Sequence, residues 1–176
     1  MNKKSQILKL AEQKVRTGGY DNFSFRELAD EIGIKSSSVH YYFRTKADLA
    51  AQLAHEYTDV FLASLQNEKE KQPNNSAIAL YITAFKTALE KDNQMCLCGL
   101  LGAQSDALPE KVNVEIKRFF ELNIQWLQQT YIEEQSMPVA SAKVKAMQLL
   151  ASLEGMMILA KVLNDKTAFD TLNHYL

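Results

Sequence analysis

Two cysteines, Cys96 and Cys98, are all that this chain of 176 residues contains. That scarcity excludes the disulfide framework of small secreted domains. Two positions so close in sequence also rarely bridge one another in a helix. A reducing, cytoplasmic setting is therefore expected. Proline occurs three times and glycine six times, too seldom to punctuate a β-rich fold. Helix formers dominate, so the expected class is all-α. No apolar run approaches the length of a membrane span, and Met-Asn-Lys-Lys-Ser-Gln is not followed by an uninterrupted apolar core of signal-peptide length, so no membrane partner is expected.

Catalytic hardware is equally sparse. The histidines His40, His55 and His174 are scattered, and neither a Gly-rich phosphate loop nor a nucleophile in a recognisable setting is present. These gaps argue against an enzyme, and no catalytic residue, metal site or cofactor is expected. The net charge of −1 hides an asymmetry: residues 1–50 carry nine Lys or Arg against six Asp or Glu, and residues 51–176 eleven against fifteen. A basic first segment on an acidic remainder suits a protein that touches phosphate with one end, although that signal alone is weak. A hydrophobic content of 47% supports a globular chain, long enough for one well-packed domain or a small domain joined to a larger one.

The informative stretch is 24–46. Ser24 is placed to cap a helix starting at about Phe25, with Glu27 three residues on to return the hydrogen bond and Phe23 and Leu28 spaced as a hydrophobic staple. Leu28, Ala29 and Ile32 recur at helical spacing, and Gly33 supplies the left-handed residue that ends the helix. A second short helix runs through Val39 to Phe43. Thr45 and Asp48 then cap a third. Two short helices joined by a tight turn form a helix-turn-helix pattern, whose second helix enters the DNA major groove.

The run Leu28-Ala29, Gly33-Ile34, Val39, Tyr41-Tyr42-Phe43, Lys46 and Leu49 resembles the DNA-binding domain of the TetR/AcrR family of bacterial transcriptional regulators. The resemblance implies an N-terminal head, residues 1–46, and a body, residues 47–176, comprising a connecting helix and a helical ligand-binding and dimerisation domain. It implies phosphate contacts from Tyr42 and Lys46, with Ser24 able to add one from its helix start. Base reading falls to the exposed start and outer face of the second helix: Lys35, Ser36, Ser37, Ser38, His40 and Tyr41. The family usually has Gly where this chain has Ser37, Tyr where it has His40, and a capping Ser or Thr where it has Lys35. The preferred operator therefore does not carry over, and Ser36 is the alternative cap. For Val39 and Phe43, core packing is expected.

The remaining elements follow from periodicity. A first helix over 4–17 shows Ile7, Leu8, Ala11 and Val15 on one face and stops at Gly18 and Gly19. That face is expected to pack on Leu28, Ile32, Val39 and Phe43. The third capped helix continues to about Lys71, and the polar stretch 67–76 with Pro73 reads as loop. Helices are expected from Ser76 to about Asp92, over 95–104 (deeply buried), 110–134 and 139–163, with a short one near 167–175. The 139–163 helix is apolar nearly all round from Ala146 onward, so it needs cover on two sides. A second copy of the chain is the simplest cover, and the resemblance implies a homodimer through the helices 110–134 and 139–164.

A pocket for an unknown small-molecule effector is likewise implied by the resemblance. Its candidates are Tyr81, Phe85, Cys98, Phe120, Asn123, Trp126, Glu154 and Met157, for each of which plain packing is the competing reading. The expected function is a repressor that binds double-stranded operator DNA and is released by that effector. Two alternatives stay open. One is a thiol-based redox or electrophile sensor using Cys96 and Cys98, with Cys96 near a helix start; two residues apart on a helix, the pair points in nearly opposite directions, so a shared metal is not expected. The other is a helical dimerisation module that binds no DNA.

Overall fold

The computed structural model describes residues 2–175, except for the side chains of residues 91, 92, 166 and 173–175. His174 therefore lies outside the described side chains. Among the described residues the chain is helical throughout, without a strand. The helices are α1 (Lys3–Gly18), α2 (Phe25–Ile32), α3 (Ser36–Tyr42), α4 (Lys46–Lys71), α5 (Ala77–Asp92), α6 (Leu97–Gly102), α7 (Glu110–Gln135) and α8 (Val139–Val162). Short 3-10 segments fill Tyr20–Asn22, Ser105–Ala107 and Lys166–Tyr175.

These helices group into two compact units. The first contains residues 1–58 and 97–119, the second 59–96 and 120–176. The connecting helix α4 begins in the first unit and ends in the second.

In the first unit α1 is capped by Asn2, whose side chain accepts from the Ser5 N–H. It buries Ile7, Leu8, Ala11 and Val15. Those side chains join Phe23, Leu28, Ala29, Val39, Phe43, Leu49 and Leu53 in a core nearly closed to solvent. Ile32, expected in that core, is only half-buried. Its position at the last turn of α2, beside Gly33, leaves one side uncovered.

Gly33 adopts φ 73°, ψ 41°, the left-handed conformation that a side chain disfavours. Its N–H reaches back to the carbonyls of Ala29 and Asp30, closing α2. At the other end of α1, the backbone N–H of Tyr20 donates to Gln104 Oε1 at 3.0 Å. A Cβ on Gly19 would lie 2.5 Å from that same oxygen, so the close approach needs glycine.

α4 starts as its sequence requires. The Asp48 carboxylate accepts from both the N–H and the hydroxyl of Thr45, and the Thr45 hydroxyl accepts from the Asp48 N–H. Lys111 of α7 donates to the second Asp48 oxygen. The Lys111 and Thr45 hydrogen bonds hold the Asp48 carboxyl below the usual carboxylate range. α4 persists to Lys71, so the loop shrinks from the expected 67–76 to residues 72–76. Glu68 accepts from Lys71 and from Gln72, which ties down the last turn.

In the second unit Ser76 caps α5. Glu134 at the end of α7 accepts from the Ser76 hydroxyl at 2.8 Å and from the Ala77 N–H at 2.6 Å. Asn93, left-handed at φ 50°, closes α5. α6 is shorter than the expected 95–104, and its glycines are not deeply buried. Cys96 consequently stands before the helix rather than inside it. α8 buries Ala142, Ala146, Leu149, Leu150, Leu153, Met157 and Ala160. Its other face leaves Val139, Val144, Met147, Ile158, Leu159 and Val162 exposed. No helix among the described residues is long and apolar enough to cross a membrane.

Candidate functional site

The outer face of α3 is set by burial of its inner face. Val39 is fully buried and Phe43, just past the helix, nearly so. One or two positions from Val39 and so on other sides of the helix, Ser37, His40 and Tyr41 are turned to solvent. Tyr41 is 83% exposed, and Tyr42 38%. Their rings meet edge to face at 5.1 Å, which restricts both phenols. His40 rests edge-on against Phe25 of α2 at 4.8 Å. Lys35 occupies the N-cap position of α3, and no side chain caps this helix. Ser36, the alternative cap, is the first helical residue and does not fill the role.

Lys46 is held where the connecting helix starts. Its ammonium lies 4.6 Å from the centroid of the Tyr20 ring and 4.8 Å from that of Phe23. Asp21 stands 3.5 Å from it. Two aromatic faces and a carboxylate thus position a cation that remains partly exposed. Ser24 is exposed, but its hydroxyl is engaged as the cap of α2, accepting from the Glu27 N–H at 3.2 Å. Hydrogen bonds from Ser24 in turn hold the Glu27 carboxyl below its ordinary value. Both halves of the capping box are therefore made.

Beside α3 lies an open hollow of about 470 Å³, lined by Lys3, Ile34, Ser37, Ser38, Tyr41 and Tyr42. Lys3 is the one contributor from α1. No motif in α1 marks it, and its charge looks like that of any solvated helix face.

In the second unit a polar group sits inside an aromatic cluster. Tyr81 is fully buried, and its hydroxyl donates to Asn123 Oδ1 at 2.7 Å. The Tyr81 ring stacks on Trp126 at 5.4 Å and on Phe85 at 5.5 Å. Phe61 of α4 meets Tyr81 and Phe85 edge-on. Desolvation, with the nearby Cys96 and Glu154, raises the Tyr81 phenol well above its ordinary value. Glu154 of α8 has one carboxylate oxygen, Oε1, shut from solvent without a hydrogen-bond partner among the described residues. Burial pushes this carboxyl up to about 7, opposed in part by a hydrogen bond with Cys96.

Comparison with known proteins places this geometry. The family described as "Bacterial regulatory proteins, tetR family" matches residues 7–53, the head and the start of α4. The crystal structure of a TetR transcriptional regulator from Legionella pneumophila has a TM-score of 0.91 and 32% identity, covering 99% of this chain and 95% of that one. The chain belongs to the TetR family of transcriptional regulators. A TetR-family regulator from Agrobacterium tumefaciens shares the fold, with a TM-score of 0.86 and 24% identity over 97% of this chain and 93% of that one. Among curated proteins, the fatty acid metabolism regulator protein of Bacillus subtilis (strain 168) is 23% identical over 120 residues, 66% of this chain. The match spans 62% of that relative's length.

Within the TetR framework the body candidates separate. Tyr81, Phe85, Asn123 and Trp126 are joined by the contacts above, and Glu154 adjoins them through Tyr81 and Cys96. Met157 is buried on α8 and Phe120 half-buried on α7 in the same unit. Cys98 is buried on α6 and belongs to the first unit. Cys96 is the cysteine beside Glu154. A helix over 95–104 gives no reason to prefer it to Cys98 as a lining residue. Phe61 was legible only as one member of the apolar stripe of α4.

Proposed function

We propose that this TetR-family chain is a transcriptional repressor that binds operator DNA as a homodimer and is released by a small molecule held in the second unit. The observation that carries the DNA reading is the outer face of α3. Short hydroxyls, an imidazole and phenols project from a helix whose inner face is locked in the core, and Lys46 is held by Tyr20 and Phe23 at the start of the following helix. Lys46 and Tyr42 contact the phosphate backbone. Lys35, Ser36, Ser37, Ser38, His40 and Tyr41 face the bases, reading them loosely because serine hydroxyls both donate and accept.

The exposed apolar face of α8 supports dimerisation. A second copy would bury Val144, Met147, Ile158 and Val162, which a solvated monomer leaves in water. The exposed positions of α7 in the same unit, Glu121, Gln125, Gln129, Glu133, Glu134 and Gln135, are polar, so α8 contributes more of this surface than α7. Two heads in a dimer then face half-sites about 34–36 Å apart, one turn of DNA.

Release is a population shift. An effector that prefers a body conformation with the heads out of register by a few kcal/mol empties the operator. The fatty acid connection of one relative makes fatty acids and their derivatives the first compounds to screen. The test is fluorescence anisotropy with DNA from upstream of the chain's own gene against a scrambled duplex, with and without candidate effectors. Selective binding lost in Lys46→Ala and reversed by an effector supports the reading. Equal binding to both duplexes, followed by failure of a random-DNA selection to enrich any sequence, sinks it.

A second reading is favoured by one observation, the hydrogen bond between Cys96 and Glu154. A carboxylate beside a thiol can take up its proton and ready it for an oxidant or electrophile. Cys96 is only 2% exposed, which slows any such reagent. Labelling of the native protein no faster than that of a model thiol would dispose of this reading.

A further inference from the structure

The hollow beside α3 has a composition that the reading face alone does not explain. Five of its lining residues belong to the helix-turn-helix, Ile34 from the turn and Ser37, Ser38, Tyr41 and Tyr42 from α3. The sixth, Lys3, comes from the first turn of α1. That turn is tied down: Asn2 Oδ1 accepts from the Ser5 N–H at 2.8 Å and from the Ser5 hydroxyl at 2.9 Å. The backbone of Lys3 is thereby fixed beside the reading helix.

Except for Ile34, every lining side chain carries a hydrogen-bond donor, Lys3 brings a full positive charge, and no carboxylate lines the hollow. Among the described residues, the side chains of Lys3, Ser37, Ser38 and Tyr42 make no hydrogen bond or ion pair within the protein. Three other lysines of the same unit are paired with carboxylates, Lys14 with Glu31, Lys46 with Asp21 and Lys111 with Asp48, whereas Lys3 is not. A concavity with one ammonium, four hydroxyls free to turn their protons inward and no carboxylate favours an anion.

We propose that this hollow seats a phosphate of the DNA backbone, with Lys3 as its cation and Tyr42 as its neutral donor. The proposal rests on the DNA-binding reading above and adds a contact from outside the helix-turn-helix. Because Lys3 reaches the hollow from α1, it fixes the position of α3 on the duplex without reading a base.

The test compares wild type, Lys3→Gln, Lys3→Arg and Lys9→Gln. Lys9→Gln removes the same charge from an exposed residue of α1 outside the hollow. Each protein is titrated at several salt concentrations with the best duplex from a random-DNA selection and with a scrambled duplex. One lost phosphate contact makes the slope of log K against log salt shallower by about 0.9. Lys3→Gln should show that change, with the ratio of selected to scrambled binding unaltered, while Lys3→Arg and Lys9→Gln keep the wild-type slope. An unchanged slope in Lys3→Gln, an equal change in Lys9→Gln, or a collapse of sequence preference at constant slope overturns the proposal and leaves DNA binding standing. A wild type that binds neither duplex removes both.

Discussion

The hydroxyl of Tyr81 donates to Asn123 Oδ1 at 2.7 Å in the interior of the second unit, while the Tyr81 ring stacks on the single tryptophan, Trp126. Both partners are fully buried, so neither can turn to water when the other is removed. Tyr81→Phe keeps the ring and deletes the donor. It should lower stability by roughly 1–3 kcal/mol, the cost of stripping a buried acceptor of its partner. Urea denaturation followed by Trp126 fluorescence measures the loss, and a change below about 0.5 kcal/mol would contradict the pairing.

Glu154 makes stability depend on pH. Its carboxyl is raised to about 7 in the folded chain, against about 4.3 when unfolded. Between those values the folded state holds a proton that the unfolded state has released. Stability therefore falls as pH rises through that window, by at most roughly 3–4 kcal/mol. Glu154→Gln should flatten this decline and raise stability at pH 8. Thermal melting from pH 5 to 8 would show both effects, and parallel curves for the two proteins would refute the account.

Asp21 competes with DNA for Lys46. The carboxylate is exposed and stands 3.5 Å from the ammonium. Asp21→Asn should tighten operator binding a few-fold, in line with the ~0.2–1 kcal/mol typical of an exposed ion pair. Anisotropy at low and high salt reads the change, which should shrink as salt rises. Weaker binding would mean that Asp21 instead holds Lys46 in its productive position.

Gly33 carries the turn between α2 and α3. Space is not the obstacle to a side chain there, since nothing lies within 4 Å of a built Cβ. The backbone at φ 73° is. Gly33→Ala should cost about 1–2 kcal/mol through left-handed strain alone, as measured by thermal unfolding. Gly19→Ala meets Gln104 as well as a positive φ and should cost more.

The α8 face provides the dimer test. Ile158 and Val162 lie one helical turn apart and are exposed. Ile158→Glu places a charge in the proposed interface and should yield a monomer in sedimentation at micromolar concentration, with DNA affinity reduced because one head must bind alone. A wild type that sediments as a monomer would defeat the dimer reading directly.

The sequence by itself determined the helices of the head and their ends. Caps and breakers act within a few residues, so Ser24 with Glu27, Gly33, and Thr45 with Asp48 could be read from spacing alone. The same local logic gave the all-α class and the two-faced α8. Local signals were weaker where packing decides. α6 shrank to six residues, which moved Cys96 off the helix, and Ile32 stayed half-covered.

Only the tertiary structure decided which residues distant in the chain meet. Tyr81 and Asn123 lie 42 positions apart, Tyr20 and Gln104 84. No periodicity encodes such pairings, because they depend on how helices pack rather than on how each one forms. Lys3 joined the surface of α3 for the same reason: its place there comes from the packing of α1 against α2 and α3 around Ile7, Val15, Leu28 and Val39, and not from any pattern in its own neighbourhood.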